Sequence, residues 1–206
     1  MTASGMDDSR NKHLDTLDGT LAEVRDQLQY THEQGEVFEL RALQLLLQVV
    51  KTIHGEHDIH TLIGLILDSA LSFMEADRAF LMMFDEQGKL RFKMGRSYAG
   101  AYLNEEEFVV SRGVVDEAIA GEQPIILTDA QKDAVFSKRQ SIMDLELRTV
   151  MAAPLRYKTR VIGLLYVDSK RPMIRYSKHH LNVLTSLADQ AAVALANARK
   201  FETHQG

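Results

Sequence analysis

Cysteine is absent from the 206 residues. That single absence removes disulfides, thiolate nucleophiles, thiolate zinc sites and cysteine-ligated iron–sulfur clusters together. Long apolar runs are missing too. None approaches the roughly 18 residues that a membrane helix needs, and the stretch from Met1 to His13 is polar, without the apolar centre of a signal peptide. A soluble, cytoplasmic protein is expected. There is no basic excess either: 24 Lys and Arg stand against 29 Asp and Glu, for a formal charge of -5. The nearest basic cluster, Lys158, Arg160, Lys170, Arg171 and Arg175, reads as the solvated end of a hairpin, so direct nucleic-acid binding is not expected. Catalytic patterns are lacking as well. No nucleophile and base pair, no glycine-rich phosphate loop ending in Lys, and no metal-ligand set stands out, which argues against an enzyme. His54, His57 and His60 straddle a helix break with only Glu56 and Asp58 beside them, and they read as helix-end histidines rather than metal ligands.

What the chain does have is a strong apolar hairpin. Val150 to Leu155 and Val161 to Val167 are apolar runs separated by the charged stretch Arg156 to Arg160, read as a mid-length loop. The second run is apolar on both faces, Val161, Leu165 and Val167 alternating with Ile162, Leu164 and Tyr166, and so belongs in the middle of a covered sheet. Gly163 interrupts it. A glycine there marks either sheet crowding or the close approach of another backbone or a ligand.

Around this hairpin the chain divides into a disordered start at 1–13, a helical extension at 14–52, one domain at 53–201 and a tail at 202–206. A domain of about 150 residues buries roughly 70% of its unfolded surface and needs no staples. In the extension, Leu14, Leu17, Leu21, Val24 and Leu28 step by three and four, the spacing of a coiled-coil seam that continues past Gly35 into a second helical stretch, Glu36 to Thr52. Gly55 ends that helix, and Asp58 is placed to cap the next, Ile59 to Met74, with Leu62, Ile63, Ile66, Ala70, Phe73 and Met74 on its core face. A hairpin follows, Ala79 to Phe84 and Lys89 to Met94 about the turn Asp85 to Gly88, with Leu90, Phe92 and Met94 inward. Next come a loose segment from Gly95 to Glu107, a short strand Phe108 to Val110, a helix begun by Ser111 and ended at Gly121, and a strand Pro124 to Leu127. After a polar loop, Ser137 to Leu145 reads as a short helix leading to the central hairpin. The last element is a long helix, Ser177 to Phe201, with an alanine-rich stripe that includes Leu184, Leu187, Ala188, Ala191, Leu195 and Ala198. This order is α/β (α+β), a central antiparallel sheet flanked by helices, with an N-terminal helical extension.

Several stretches, in this order and spacing, resemble the GAF family of regulatory domains over roughly Asp58 to Lys200. They are Asp77 to Leu81, Ser111 to Val115, Gly121 to Pro124, Leu127 to Ala130, Arg148 to Leu155, Val161 to Gly163 and Leu187 to Gln190. The resemblance implies a GAF/PAS-like fold and a regulatory module of a bacterial signalling protein, such as an enhancer-binding transcription activator, without chemistry of its own. It also implies a small-molecule pocket between the sheet and the stretches Gly113 to Ala118 and Phe136 to Leu145. On that basis the candidate ligand-binding residues are Tyr98, Arg112, Val114, Phe136, Arg139, Met143 and Arg148. Read without the family, Arg112, Arg139 and Arg148 either anchor an anionic ligand or satisfy nearby carbonyls and carboxylates. Met82, Met83, Met94, Met143 and Met151 either line an adaptable pocket or fill core gaps.

The cofactor stays unknown. The cyclic-nucleotide branch of the family has Asn-Lys at the end of the last strand, then Phe, then an acidic pair opening the final helix; here stand Asp168-Ser169, Tyr176 and Lys178-His179-His180. Covalent bilin attachment and the methionine-sulfoxide reductase chemistry of similar domains both need cysteine, which is absent. The expected partners are a second copy of the chain, an output domain or partner protein, and a small-molecule ligand. Leu14, Leu17, Leu21, Val24 and Leu28, together with Leu184, Ala191 and Leu195, are the expected dimer residues, because apolar stripes at both ends of the sequence exceed what one sheet face can cover.

Overall fold

The structure, a computed structural model, describes residues 58–128, 147–171 and 176–205. The helical extension with its seam, His54, His57, Gly55, the helix from Ser137 to Leu145, and Phe136, Arg139 and Met143 lie outside the described residues. The first helix, α1 (Ile59–Met74), begins where the sequence places it: Asp58 accepts from the Thr61 amide at 2.7 Å, and the Thr61 side chain together with that amide holds its carboxyl below the usual carboxylate range. Leu62, Ile63, Ile66, Leu67, Ala70, Leu71 and Met74 are buried, so its apolar side is wider than the expected stripe, while Phe73 is only half-buried.

Six strands follow the order β3-β2-β1-β6-β5-β4, every neighbouring pair antiparallel. They are β1 (Arg78–Phe84), β2 (Leu90–Ser97), β3 (Tyr102–Leu103), β4 (Ile125–Thr128), β5 (Thr149–Tyr157) and β6 (Arg160–Ser169). Two further helices lie among the described residues, α2 (Arg112–Gly121) and α3 (Lys178–Gln205). As its two apolar faces require, β6 is central, paired with β1 on one side and β5 on the other.

Alternation sorts the side chains into two layers. Phe80, Met82, Leu164, Tyr166, Val150 and Ala152 pack with Val114, Val115 and Ala118 of α2, and half-buried Leu90, Phe92 and Phe108 lean on that cluster. On the opposite face Ala79, Leu81, Met83, Leu165, Val167, Met151 and Ala153 are fully buried beneath α1 and α3. The crowding at Gly163 is tight: a Cβ there would lie 2.2 Å from the Met82 carbonyl oxygen and 3.0 Å from Leu155 Cδ1. No side chain fits.

Three expectations need correction. The loop expected between β5 and β6 is a two-residue turn, because Arg156 pairs with Val161 and Tyr157 with Arg160. Exposed charged residues end a core without ending a backbone ladder, and Lys158 takes a left-handed φ of 56° to close the turn. Phe108 to Val110 is not a strand. Its aromatic ring is satisfied by packing 5.4 Å from Phe80 and 5.0 Å from Phe92 rather than by pairing, and the edge strand is instead Tyr102–Leu103, inside the segment read as loose. The helix after it ends at Gly121, as the sequence places it, and is closed by a left-handed Glu122 at φ 48°, with Arg156 binding both the carbonyl and the carboxylate of Glu122. Finally, α3 runs past Phe201 to Gln205, through the expected tail.

Candidate functional site

The polar groups of the interior gather at one end of the sheet, where β1 starts and β6 finishes. Register sets Arg78 opposite Asp168, on the face shared with α2. The guanidinium grips the carboxylate with both nitrogens, Nε to Oδ1 at 2.9 Å and Nη2 to Oδ2 at 2.6 Å, and also donates to the Val109 carbonyl at 3.2 Å. Asp168 is fully buried and the Arg78 side chain is 20% exposed. Desolvation therefore falls mainly on the acid. Burial pushes the Asp168 carboxyl up against the opposing pull of Arg78, while in Arg78 burial is outweighed by the bond to Asp168 and its own value rises. The Tyr166 hydroxyl, also pushed up by burial, accepts from the Ser111 amide at 3.2 Å.

Ser111 occupies the N-cap of α2, yet its side chain makes no capping bond. Its Oγ is buried and has no hydrogen-bond partner. The amides of Arg112 and Gly113 come ahead of the intrahelical hydrogen bonds, which begin with the Val114 amide donating to the Ser111 carbonyl at 3.0 Å. That turn has no acidic residue, and exposed Arg112 adds positive charge to the positive end of the helix dipole. An uncapped helix start beside a buried, unpartnered hydroxyl is suited to a ligand oxygen carrying negative charge.

On the other face of the same strand ends lies a second polar knot. Asp77 accepts from Ser169 Oγ and from the Lys170 amide, both at 2.8 Å, and pairs with Arg171 Nε at 2.6 Å. Arg171 also donates to the Glu75 carbonyl, which follows α1, and lies 5.3 Å over the ring of Tyr98, whose amide donates to the Asp77 carbonyl at 2.8 Å.

The expected ligand residues thus separate. Arg112 and Val114 belong to α2, the former exposed at its start and the latter buried in the core cluster. Tyr98 is 61% exposed and belongs to the Asp77 knot, and half-buried Arg148 donates its amide to the Ser169 carbonyl at 3.0 Å. Leu184, Ala191 and Leu195 are buried within the single chain, where α3 packs on β5 and α1. Among the described side chains of α3, Val193 is a large apolar residue left exposed. His60 lies 5.7 Å from the Tyr102 ring. Among the described residues no cluster of His, Asp or Glu could hold a metal ion, and no helix is long and apolar enough to cross a membrane.

Sequence reasoning missed Arg78, Tyr166 and Asp168 as a site. The signal was there: alternation puts Asp168 on the same face as Leu164 and Tyr166, and a carboxylate in that position needs a cationic partner.

A family model for the GAF domain matches residues 58–195, more than half of the chain. The chain belongs to the GAF family. This GAF domain is similar in fold to the GAF domain of a phosphoenolpyruvate-protein phosphotransferase from Coxiella burnetii, at 16% identity and a TM-score of 0.64 over 80% of this chain and 98% of that one. The corresponding Acinetobacter domain gives 20% identity and a TM-score of 0.62, over 79% of this chain and 98% of that one. A free methionine-R-sulfoxide reductase from Neisseria meningitidis, in complex with its substrate, gives 15% and 0.58 over 78% and 91%. No curated protein matches the chain.

Proposed function

We propose that this GAF domain is a regulatory sensor whose ligand is a small molecule with an anionic group, held at the start of α2. The observation that carries the reading is Ser111, a fully buried serine with an unpartnered Oγ at a helix N-cap it does not cap. Arg112 and the amides at the helix start supply the remaining positive field, and Arg78 neutralises Asp168, a buried carboxylate close by. The role is regulatory and not catalytic. Occupancy is passed through the terminal helices to an output domain or partner protein in the cytoplasm, in a homodimer; the run of α3 to Gln205, beyond the family match, supports a helical route.

The test is an NMR titration with inorganic phosphate. Saturable shifts are expected at the Ser111, Arg112 and Gly113 amides below about 10 mM, the range of a weak fragment of a larger ligand. They are expected to vanish in Ser111→Asp, whose carboxylate caps the helix itself. Shifts absent from these amides, or unchanged in that variant, would remove the anion site.

A further inference from the structure

The two polar groups at the β1–β6 end are built on consecutive residues at the ends of the same two strands, Asp77 directly preceding β1. Arg78 and Asp168 face α2, while Asp77 and Ser169 face away from it and hold Arg171, Lys170 and the Glu75 carbonyl beyond α1. They also share backbone: the Asp77 amide donates to the Asp168 carbonyl at 2.9 Å. We propose that this strand end is a coupling element, in which the Arg78–Asp168 pair and the Asp77 knot shift together and so connect the start of α2 to the end of α1.

The physical basis is geometric. Arg78 bonds the Val109 carbonyl just ahead of α2, and Tyr166, two residues before Asp168 on β6, accepts from the Ser111 amide, so any movement of the α2 start pulls on the Arg78–Asp168 pair and on the end of β6. Asp168 is fully buried and cannot exchange Arg78 for water. A displaced guanidinium therefore takes the carboxylate with it or leaves a buried charge unpaired, and either change is transmitted to Ser169 and to the Asp77 amide. On the far side, Arg171 joins Asp77 to the Glu75 carbonyl, and α1 in turn packs against α3. Movement at one sheet face thus reaches both long helices.

Use of this element as a signal route rests on the anion-site reading above, but the coupling itself is tested without ligand. Amide exchange of the full chain would be followed by NMR in Arg78→Lys, Asp77→Asn and the double variant. Arg78→Lys keeps the charge and loses the two-pronged grip; it is expected to speed exchange at Asp77, Tyr98 and Lys170 roughly fivefold or more, while Gly88 and Glu122 keep their rates. Asp77→Asn is expected to act in reverse, on the Ser111 amide. The double variant should fall short of the product of the single effects, the mark of coupled sites. If each variant affects only its own face, if the double effect is the simple product, or if Gly88 and Glu122 accelerate equally, the coupling fails. Should Arg78→Lys not fold, Asp77→Asn still decides through the Ser111 amide. A failed phosphate titration with coupled exchange would remove the ligand and leave the element.

Discussion

The two faces of the sheet are built on different terms. Beneath α1 and α3 the middles of the central strands present Ala79, Leu81, Met83, Leu165 and Val167, all buried and all apolar, and polar Asp77 and Ser169 enter at the strand ends. Beneath the ten residues of α2 the same strands present Phe80, Met82 and Leu164, but also Arg78, Asp168 and the Tyr166 hydroxyl, with Ser111 above them. The first face is stabilised by burial, at about 25 cal/mol per Å² of apolar area. The second gives up part of that stabilisation to keep polar groups dry. A face whose polar atoms are buried at a cost is where a ligand gains most by supplying what is missing.

Substitutions sharpen the contrast. The largest effect is expected at the closed face, where Gly163→Val sets a side chain against the Met82 backbone; more than about 3 kcal/mol should be lost, lowering Tm by roughly 10 °C. A Tm within a degree of the parent would show that the strands can part there. Asp168→Asn comes next. It leaves Arg78 without its counter-charge but with an acceptor, and because Arg78 is partly exposed the loss should be about 2 kcal/mol at neutral pH, read by urea unfolding. Its pH signature is more specific. Burial raises the Asp168 carboxyl, so between the ordinary value of about 4 and the raised one the native chain keeps a proton that the unfolded chain has lost. This group therefore makes stability fall as pH rises through that window, and Asp168→Asn should remove the slope. An unaltered profile would mean the carboxyl is not held up. The smallest effect has the opposite sign: Ser111→Ala deletes a buried, unpartnered hydroxyl and should raise stability by up to about 1 kcal/mol. A clear fall would mean the hydroxyl already has a structural partner, and the contrast between the faces would narrow.

The closed face was the legible one. Alternation in Val161 to Val167 placed β6 at the centre, Asp58 marked the start of α1, and Gly163 announced its own crowding, because each is a local pattern with one physical cause. The polar face was harder to read. Arg78 and Asp168 acquire meaning only through a register between strands far apart in sequence, and Ser111 looked like an ordinary cap, which its side chain is not. Phe108 misled for a related reason: the apolar run Phe108-Val109-Val110 resembles a strand until the rings of Phe80 and Phe92 are found beside it.

The turn at Lys158 bears on how the chain folds as well as on its final shape. It joins β5 to β6 through two residues, so that hairpin closes locally, as the β1–β2 hairpin does through Asp85 to Gly88. Arg78 and Asp168, by contrast, stand 90 positions apart. Each doubling of a loop adds only about 0.6 kcal/mol to the cost of closing it, so the distance takes little from stability. It bears on rate: the seam between two quickly made hairpins is the slow, non-local step, and the buried ion pair is fastened only when the halves of the sheet have met.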